Sequence, residues 1–218
     1  MKRKIIGALL LGIVTSSIGS VNIANAADDL TTKADVQVNA DPNGTLSITS
    51  ITPVIKFNDL TLDSSKATTT TIQNGDFIAS IMDARGTGAG WNLAVRYSAE
   101  DGSELAPTDE AWTDTTVSGR HLKGAKLKFV MDNGLLSHDG DENPSTDDKP
   151  SFGNTEITIS NSDMTYLNAA QGQGLGEWTH TIHNASDLPS VTLEVPSTTT
   201  LAGSYSANLT WTLTDVPK

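Results

Sequence analysis

The chain of 218 residues contains no cysteine. That excludes disulfides, thiol catalysis and cysteine metal sites, so stability must come from size and sheet packing. The chain is also short of positive charge: 14 Lys and Arg stand against 26 Asp and Glu, a net charge of −12 at pH 7. Nucleic acid is thereby excluded as an expected partner, because phosphate binding needs a basic surface. Unaided attraction to an anionic membrane or wall polymer is disfavoured for the same reason. Aromatic residues make up only 5% of the chain, so the position of each tryptophan carries weight. Helical periodicity is almost absent, which argues against a helical architecture. Beyond the first residues no apolar run is long enough to cross a bilayer.

What is present begins with a leader pattern. Lys2, Arg3 and Lys4 are basic, Ile5 to Val14 form a short apolar run, and Ala24-Asn25-Ala26 place small residues at the spacing a signal peptidase reads. The expectation is a signal peptide over residues 1–26, with an uncleaved membrane anchor as the alternative. Cleavage would take the net charge from −12 to −15 through loss of those three bases, and would leave residues 27–218. That length suits one all-β domain, or one domain with a large insertion. The segment Thr214 to Lys218 has no hydrophobic tail, and no Leu-Pro-x-Thr-Gly sorting signal is present. The chain is therefore expected to be exported, soluble and not covalently anchored.

Two stretches alternate with a period of two. In Tyr205 to Leu213, the residues Tyr205, Ala207, Leu209, Trp211 and Leu213 fall on one side, with Ser206, Asn208, Thr210 and Thr212 on the other. In Gly90 to Tyr97, Trp91, Leu93, Val95 and Tyr97 share a face against Asn92, Ala94 and Arg96. Successive strand side chains point to opposite faces, so each stretch predicts one apolar and one wet face. Each also carries Trp-x-Leu, which sets an indole beside an isobutyl group.

Turn signals separate about nine or ten such strands. This spacing predicts an all-β fold, an antiparallel β-sandwich of Greek-key type. Residues 27–40 read as a loose N-terminal arm, with Val36 and Val38 as an edge strand. Phe77 to Met82 has too many apolar residues for a half-wet strand and predicts one covered on both faces. Residues 132–151 form an acidic loop insertion, expected as a flap.

Candidate chemistry is sparse. His180 and His183 would face opposite sides of a strand, so they cannot form a metal face and read as polar surface histidines. The acidic segment offers Asp139, Asp141 and Asp147 as oxygen ligands of the kind calcium prefers, but without EF-hand spacing; a solvated charge run is the plainer reading. The glycines of Asp83 to Gly90 lack the Gly-Lys-Ser/Thr ending of a phosphate loop and read as a tight connection. No Gly-x-Ser-x-Gly elbow or evident carboxylate pair argues for an enzyme, and no cofactor is implied. Trp91 and Trp211 read either as core or as the lining of an exposed groove that stacks on sugars or packs on a partner. Trp112 and Trp178 sit in polar or glycine-rich surroundings, as modest candidates for ligand contact.

The segments Asp83-Ala84-Arg85-Gly86 with Gly90-Trp91-Asn92-Leu93, and Leu209-Thr210-Trp211-Thr212-Leu213 with Asp215-Val216-Pro217, resemble the two signature motifs of WxL-domain surface proteins of Gram-positive bacteria. Phe57, the Gly172–Gly176 run and Val191 to Pro196 also resemble recurring family segments. The resemblance covers nearly the whole chain after the leader and fits the small, single-domain type. It implies a cell-surface protein held non-covalently to the cell wall, with peptidoglycan as the proposed ligand. It also implies a membrane-anchored partner protein that binds WxL domains, and association with other WxL proteins. On this resemblance the motif residues are Trp91, Leu93, Trp211 and Leu213, supported by Asp83, Arg85, Gly86 and Gly90. The alternatives are a module that docks on such a partner, which itself holds the wall, and more remotely a carbohydrate-active enzyme.

Overall fold

The computed structural model describes Lys33 and residues 35–73, 75–131, 135–138, 145–184, 191–197 and 200–217. The chain divides into two units, Met1–Gln37 and Val38–Lys218. The expected leader over residues 1–26 lies outside the described residues, as does the first part of the expected arm. In the first unit, Lys33 and Asp35 form an exposed ion pair at 2.8 Å. Val36 and Val38 are not in a strand, contrary to expectation, and are 88% and 86% exposed. Two valines supply too little apolar surface to hold a strand on a sheet.

The second unit is all-β. Its strands are β1 (Leu46–Ile51), β2 (Thr68–Thr71), β3 (Phe77–Asp83), β4 (Trp91–Ser98), β5 (Thr113–Asp114), β6 (Lys126–Val130) and β7 (Leu136–His138). They continue as β8 (Glu156–Thr158), β9 (Met164–Ala169), β10 (Gly176–Ile182), β11 (Thr192–Val195), β12 (Tyr205–Ser206) and β13 (Asn208–Thr214). Every pairing is antiparallel. The sheets are ordered β1-β3-β10-β7, β2-β11-β6-β8, β12-β5 and β13-β4-β9. None of these hydrogen-bonded neighbours is consecutive in sequence, so the chain crosses between sheets at each step, as strands of a sandwich can.

Alternation decides which side chains meet. In β6, Leu127 and Phe129 point into the core, while Lys126 and Lys128 point out toward Glu194 and Glu156. Phe77, Trp91, Phe129, Tyr166 and Trp178 are the bulkiest fully buried side chains. Phe77, Phe129 and Tyr166 meet edge to face, at centroid distances of 4.9 to 6.1 Å, the geometry that ring quadrupoles favour.

Four departures from expectation have physical causes. β4 has no wet face: all eight of its residues are buried. Its polar side chains find partners there, Arg96 donating to the carbonyls of Tyr97 and Gly102 at 3.2 and 3.1 Å. β3 lies inside its sheet, yet Ile78 is exposed and Met82 only half-buried, so its outer face is covered only around Ser80. The acidic insertion is not simply a flap, because β7 lies within it and pairs with β10; buried Leu136 anchors it. A short strand is the reading that Val54-Ile55-Lys56-Phe57 invites, yet the segment contributes one isolated bridge, from Phe57 to Ile72.

Candidate functional site

The two Trp-x-Leu stretches are hydrogen-bonded neighbours. β13 pairs with β4 so that Leu209 opposes Tyr97, Trp211 opposes Val95 and Leu213 opposes Leu93. The apolar residues of both strands therefore form one continuous face. The sequence separates the motifs by more than a hundred positions, and strand pairing brings them together.

Trp91 and Leu93 are fully buried. The indole Nε1 of Trp91 donates to the carbonyl of Gly174 at 2.9 Å, which satisfies the polar edge that burial would otherwise penalise. Gly174 has φ +75°, and a Cβ there would stand 2.5 Å from Trp91 Nε1. The glycine run at 172–176 is thus fitted to the indole. The entry into β4 is clamped by Asp83 and Arg85. Arg85 Nε and Nη2 donate to the two Asp83 oxygens at 2.9 and 2.8 Å, and Nη2 also donates to the Gly90 carbonyl at 2.9 Å. The hydrogen bonds to Asp83 push the Arg85 guanidinium above its ordinary value. Gly90 has φ +80°, and a Cβ there would lie 2.5 Å from the Ala169 carbonyl oxygen. Gly86 lies in the same connection, on an exposed turn beside Ala40.

Trp211 and Leu213 are only half-buried, although both pack against the core. Trp211 stacks on Phe77 at 5.7 Å between centroids and meets Tyr166 edge to face at 4.9 Å. The approach to β13 has its own clamp, which the sequence reading missed. β12 pairs with β5, setting Tyr205 opposite Asp114. Arg120 Nε donates to Asp114 Oδ2 at 2.6 Å, and its guanidinium lies over the Tyr205 ring at 5.9 Å. Burial pushes the Asp114 carboxyl up, but hydrogen bonds from Thr116, Val117 and Arg120 more than reverse this and hold it far below the usual carboxylate range. The signal available in the sequence was Asp114-Thr115-Thr116, an Asp placed to cap its own turn.

A cleft of about 1370 Å³ runs beside β13. Its walls include Ile51, Phe57, Trp112, Tyr205, Leu209 and Trp211. A second hollow of about 630 Å³ continues past Leu46 and Ile48 on one side and Leu213 and Asp215 on the other. Of the four motif residues, Trp211 and Leu213 line these openings and Trp91 and Leu93 do not.

The other residues singled out from the sequence lie elsewhere. Trp112 and Trp178 are buried, contrary to their expected loop exposure. Trp112 donates to Tyr97 Oη at 3.0 Å and Trp178 to the Leu175 carbonyl at 3.0 Å. Each indole thus finds one polar partner inside an apolar setting, which is how buried tryptophans usually sit. His180 is not a surface residue: it is fully buried, 2.5 Å from the Tyr166 hydroxyl through Nδ1. His183 remains at the surface, its Nδ1 2.8 Å from Asp76. Of the calcium candidates, Asp139 and Asp141 lie outside the described residues, and Asp147 is exposed. Among the described residues no group of three or more acidic or histidine side chains could hold a metal. Among them, too, no helix is long and apolar enough to cross a membrane.

Comparison with known proteins gives one match. The family model described as WxL domain surface cell wall-binding covers residues 25–217. No curated protein and no solved structure matches the chain. The model spans both Trp-x-Leu strands, the two clamps and the cleft between β1 and β13. With that coverage, the chain belongs to the WxL family of surface, cell wall-binding proteins.

Proposed function

We propose that the chain is a secreted, non-catalytic protein of the Gram-positive surface, attached non-covalently to the cell wall with peptidoglycan as its ligand. The observation that carries this reading is the position of the second Trp-x-Leu strand. β13 lines an apolar opening large enough for an extended ligand, while β4 lies wholly in the core. In this reading Trp91 and Leu93 hold the framework, and Trp211 and Leu213 serve the attachment surface. The test is retention of the pure protein on protein-free peptidoglycan. Trp211→Ala is expected to stay folded and lose retention. A folded Trp211→Ala variant with unchanged retention would defeat the assignment.

A second reading is favoured by the same cleft. Its walls mix apolar residues such as Ile51, Phe57 and Leu209 with polar ones, and the chain carries a net charge of −12, which gives no electrostatic help toward an anionic wall. Here the domain docks on a membrane-anchored protein, or on other WxL proteins, and that partner holds the wall. Retention on peptidoglycan only when the partner is added would select this reading. Release of reducing ends from wall glycans would instead point to an enzyme.

A further inference from the structure

The smaller hollow has two banks, and both are sheet edges; of β1 only Ile51 reaches the larger cleft, whose bank there is the irregular segment that follows it. β1 is hydrogen-bonded to β3 on one side, and β13 to β4 on one side; each ends its sheet. Beyond β1 the same bank continues to Phe57, which bridges only to Ile72. Beyond β13 the other bank continues back to β12, which pairs only with β5. Leu46 and Ile48 share the smaller hollow with Leu213 and Asp215, while Ile51 shares the larger cleft with Leu209. The two banks therefore run antiparallel, and among the described residues no strand lies between them.

Three features mark this gap as a place for a strand. First, an edge presents a row of N–H and C=O groups that pair with any extended chain. Second, Leu46, Ile48, Leu209, Trp211 and Leu213 are all half-buried along the banks while packing on the core. Added apolar side chains would complete their burial. Third, two of the usual protections of edges, charge and proline, are missing from both strands, although β1 has an irregular register between Ile48 and Ser50. Natural edges carry charge or proline, but β1 reads Leu-Ser-Ile-Thr-Ser-Ile and β13 reads Asn-Leu-Thr-Trp-Thr-Leu-Thr. Neither has a charged residue or a proline, in a chain of which 18% is charged.

We propose that this gap receives an extended segment of a partner protein as an added strand, with apolar residues facing the core and basic residues between them. The inference rests on the docking reading above and deepens it. Charge chooses the occupant: Asp59, Glu100 and Asp215 line the two openings against Lys56 and Arg85, with Arg85 held by Asp83, and two copies at −12 each repel one another, whereas a basic segment is drawn in. Because the banks are antiparallel to each other, the added strand would lie parallel to one and antiparallel to the other, a mixed arrangement common in sheets.

The probe is a synthetic peptide of about eleven residues alternating Val and Lys, long enough to span a strand of ordinary length. Its control is the same peptide N-methylated at every second residue, which keeps charge and side chains but removes the donors along one edge and blocks pairing there. With the full chain, the plain peptide is expected to bind at least about tenfold tighter than the control, since each lost strand bond costs roughly a kcal/mol. Amide hydrogen exchange is expected to slow in β1 and β13. Equal affinity for both peptides, or protection confined to other strands, overturns the inference alone. Concentration-dependent dimerisation with the same protection and no peptide makes a second copy the occupant and overturns the stated partner. Retention of the pure chain on protein-free peptidoglycan, with no partner added, overturns the docking reading itself, whereas the peptide comparison alone decides whether the gap takes a strand.

Discussion

β4 and β13 carry the same Trp-x-Leu pattern in two different places. β4 is the middle strand of its sheet, and every one of its residues is buried. β13 is the edge, and its indole is half-open to a cleft. Each strand is introduced by a buried aspartate held by an arginine: Asp83 with Arg85 before β4, and Asp114 with Arg120 beside β12. The shared spacing sets an apolar face in both. Position in the sheet then decides whether that face serves stability or remains available for contact. A repeated motif is not evidence of a repeated role.

The largest effect that would sharpen this contrast is Trp91→Ala. It removes a fully buried indole and its bond to Gly174, so a loss of ~3–5 kcal/mol is expected in urea unfolding. A loss near zero would mean that β4 is not the framework strand. Gly90→Ala comes next, at roughly 2–3 kcal/mol, because the residue has a left-handed backbone and a Cβ would press on the Ala169 carbonyl. Trp211→Ala should cost less than Trp91→Ala, about 2 kcal/mol, since part of the ring already meets solvent. Acrylamide should quench the wild-type protein more than Trp211→Phe, because Trp91, Trp112 and Trp178 are all buried. Quenching that is unchanged in Trp211→Phe would erase the distinction between the two strands.

The smallest expected effect concerns the clamps. The Asp114 carboxyl is held below its ordinary value of 3.8 in the folded chain. Its stabilising effect is therefore complete above that value and drains away as the pH falls beneath it toward the folded value. The melting temperature of Asp114→Asn should lie below that of the wild type by a constant gap from about pH 7 down to about pH 5, narrowing below about pH 4. A gap that keeps its size through the acid range would show that the carboxylate charge is not what holds β5 and β12 together.

The apolar alternation of β4 and β13 was legible because it depends only on a period of two. The all-β class followed from it, and the paired motifs pointed to the family. What the sequence hid were facts of layering. Nothing in Asn92-Leu93-Ala94-Val95-Arg96 says that the polar face is covered: the partners of Asn92, Thr165 and Asn168, lie more than seventy positions on, and the carbonyl of Gly102 reaches Arg96 only because the chain turns back. His180 looked like a surface residue for the same reason: its partner, Tyr166, lies on a different sheet. Trp112 and Trp178 sit among polar neighbours in sequence, yet the turns around them fold their indoles inward. The cleft was not legible at all, since two edges that face each other without pairing leave no mark on either strand's pattern.

One pairing has a further consequence for how the molecule comes into being. Thr214 lies 122 positions after Asn92, whose carbonyl its hydroxyl meets. During synthesis at roughly 5–20 residues per second, the central strand waits about 6–25 s for its neighbour to be made. Through that interval one flank of Trp91 to Ser98 stays open to other chains. Shielding of the nascent polypeptide over that interval therefore bears on its yield alongside the finished body's stability.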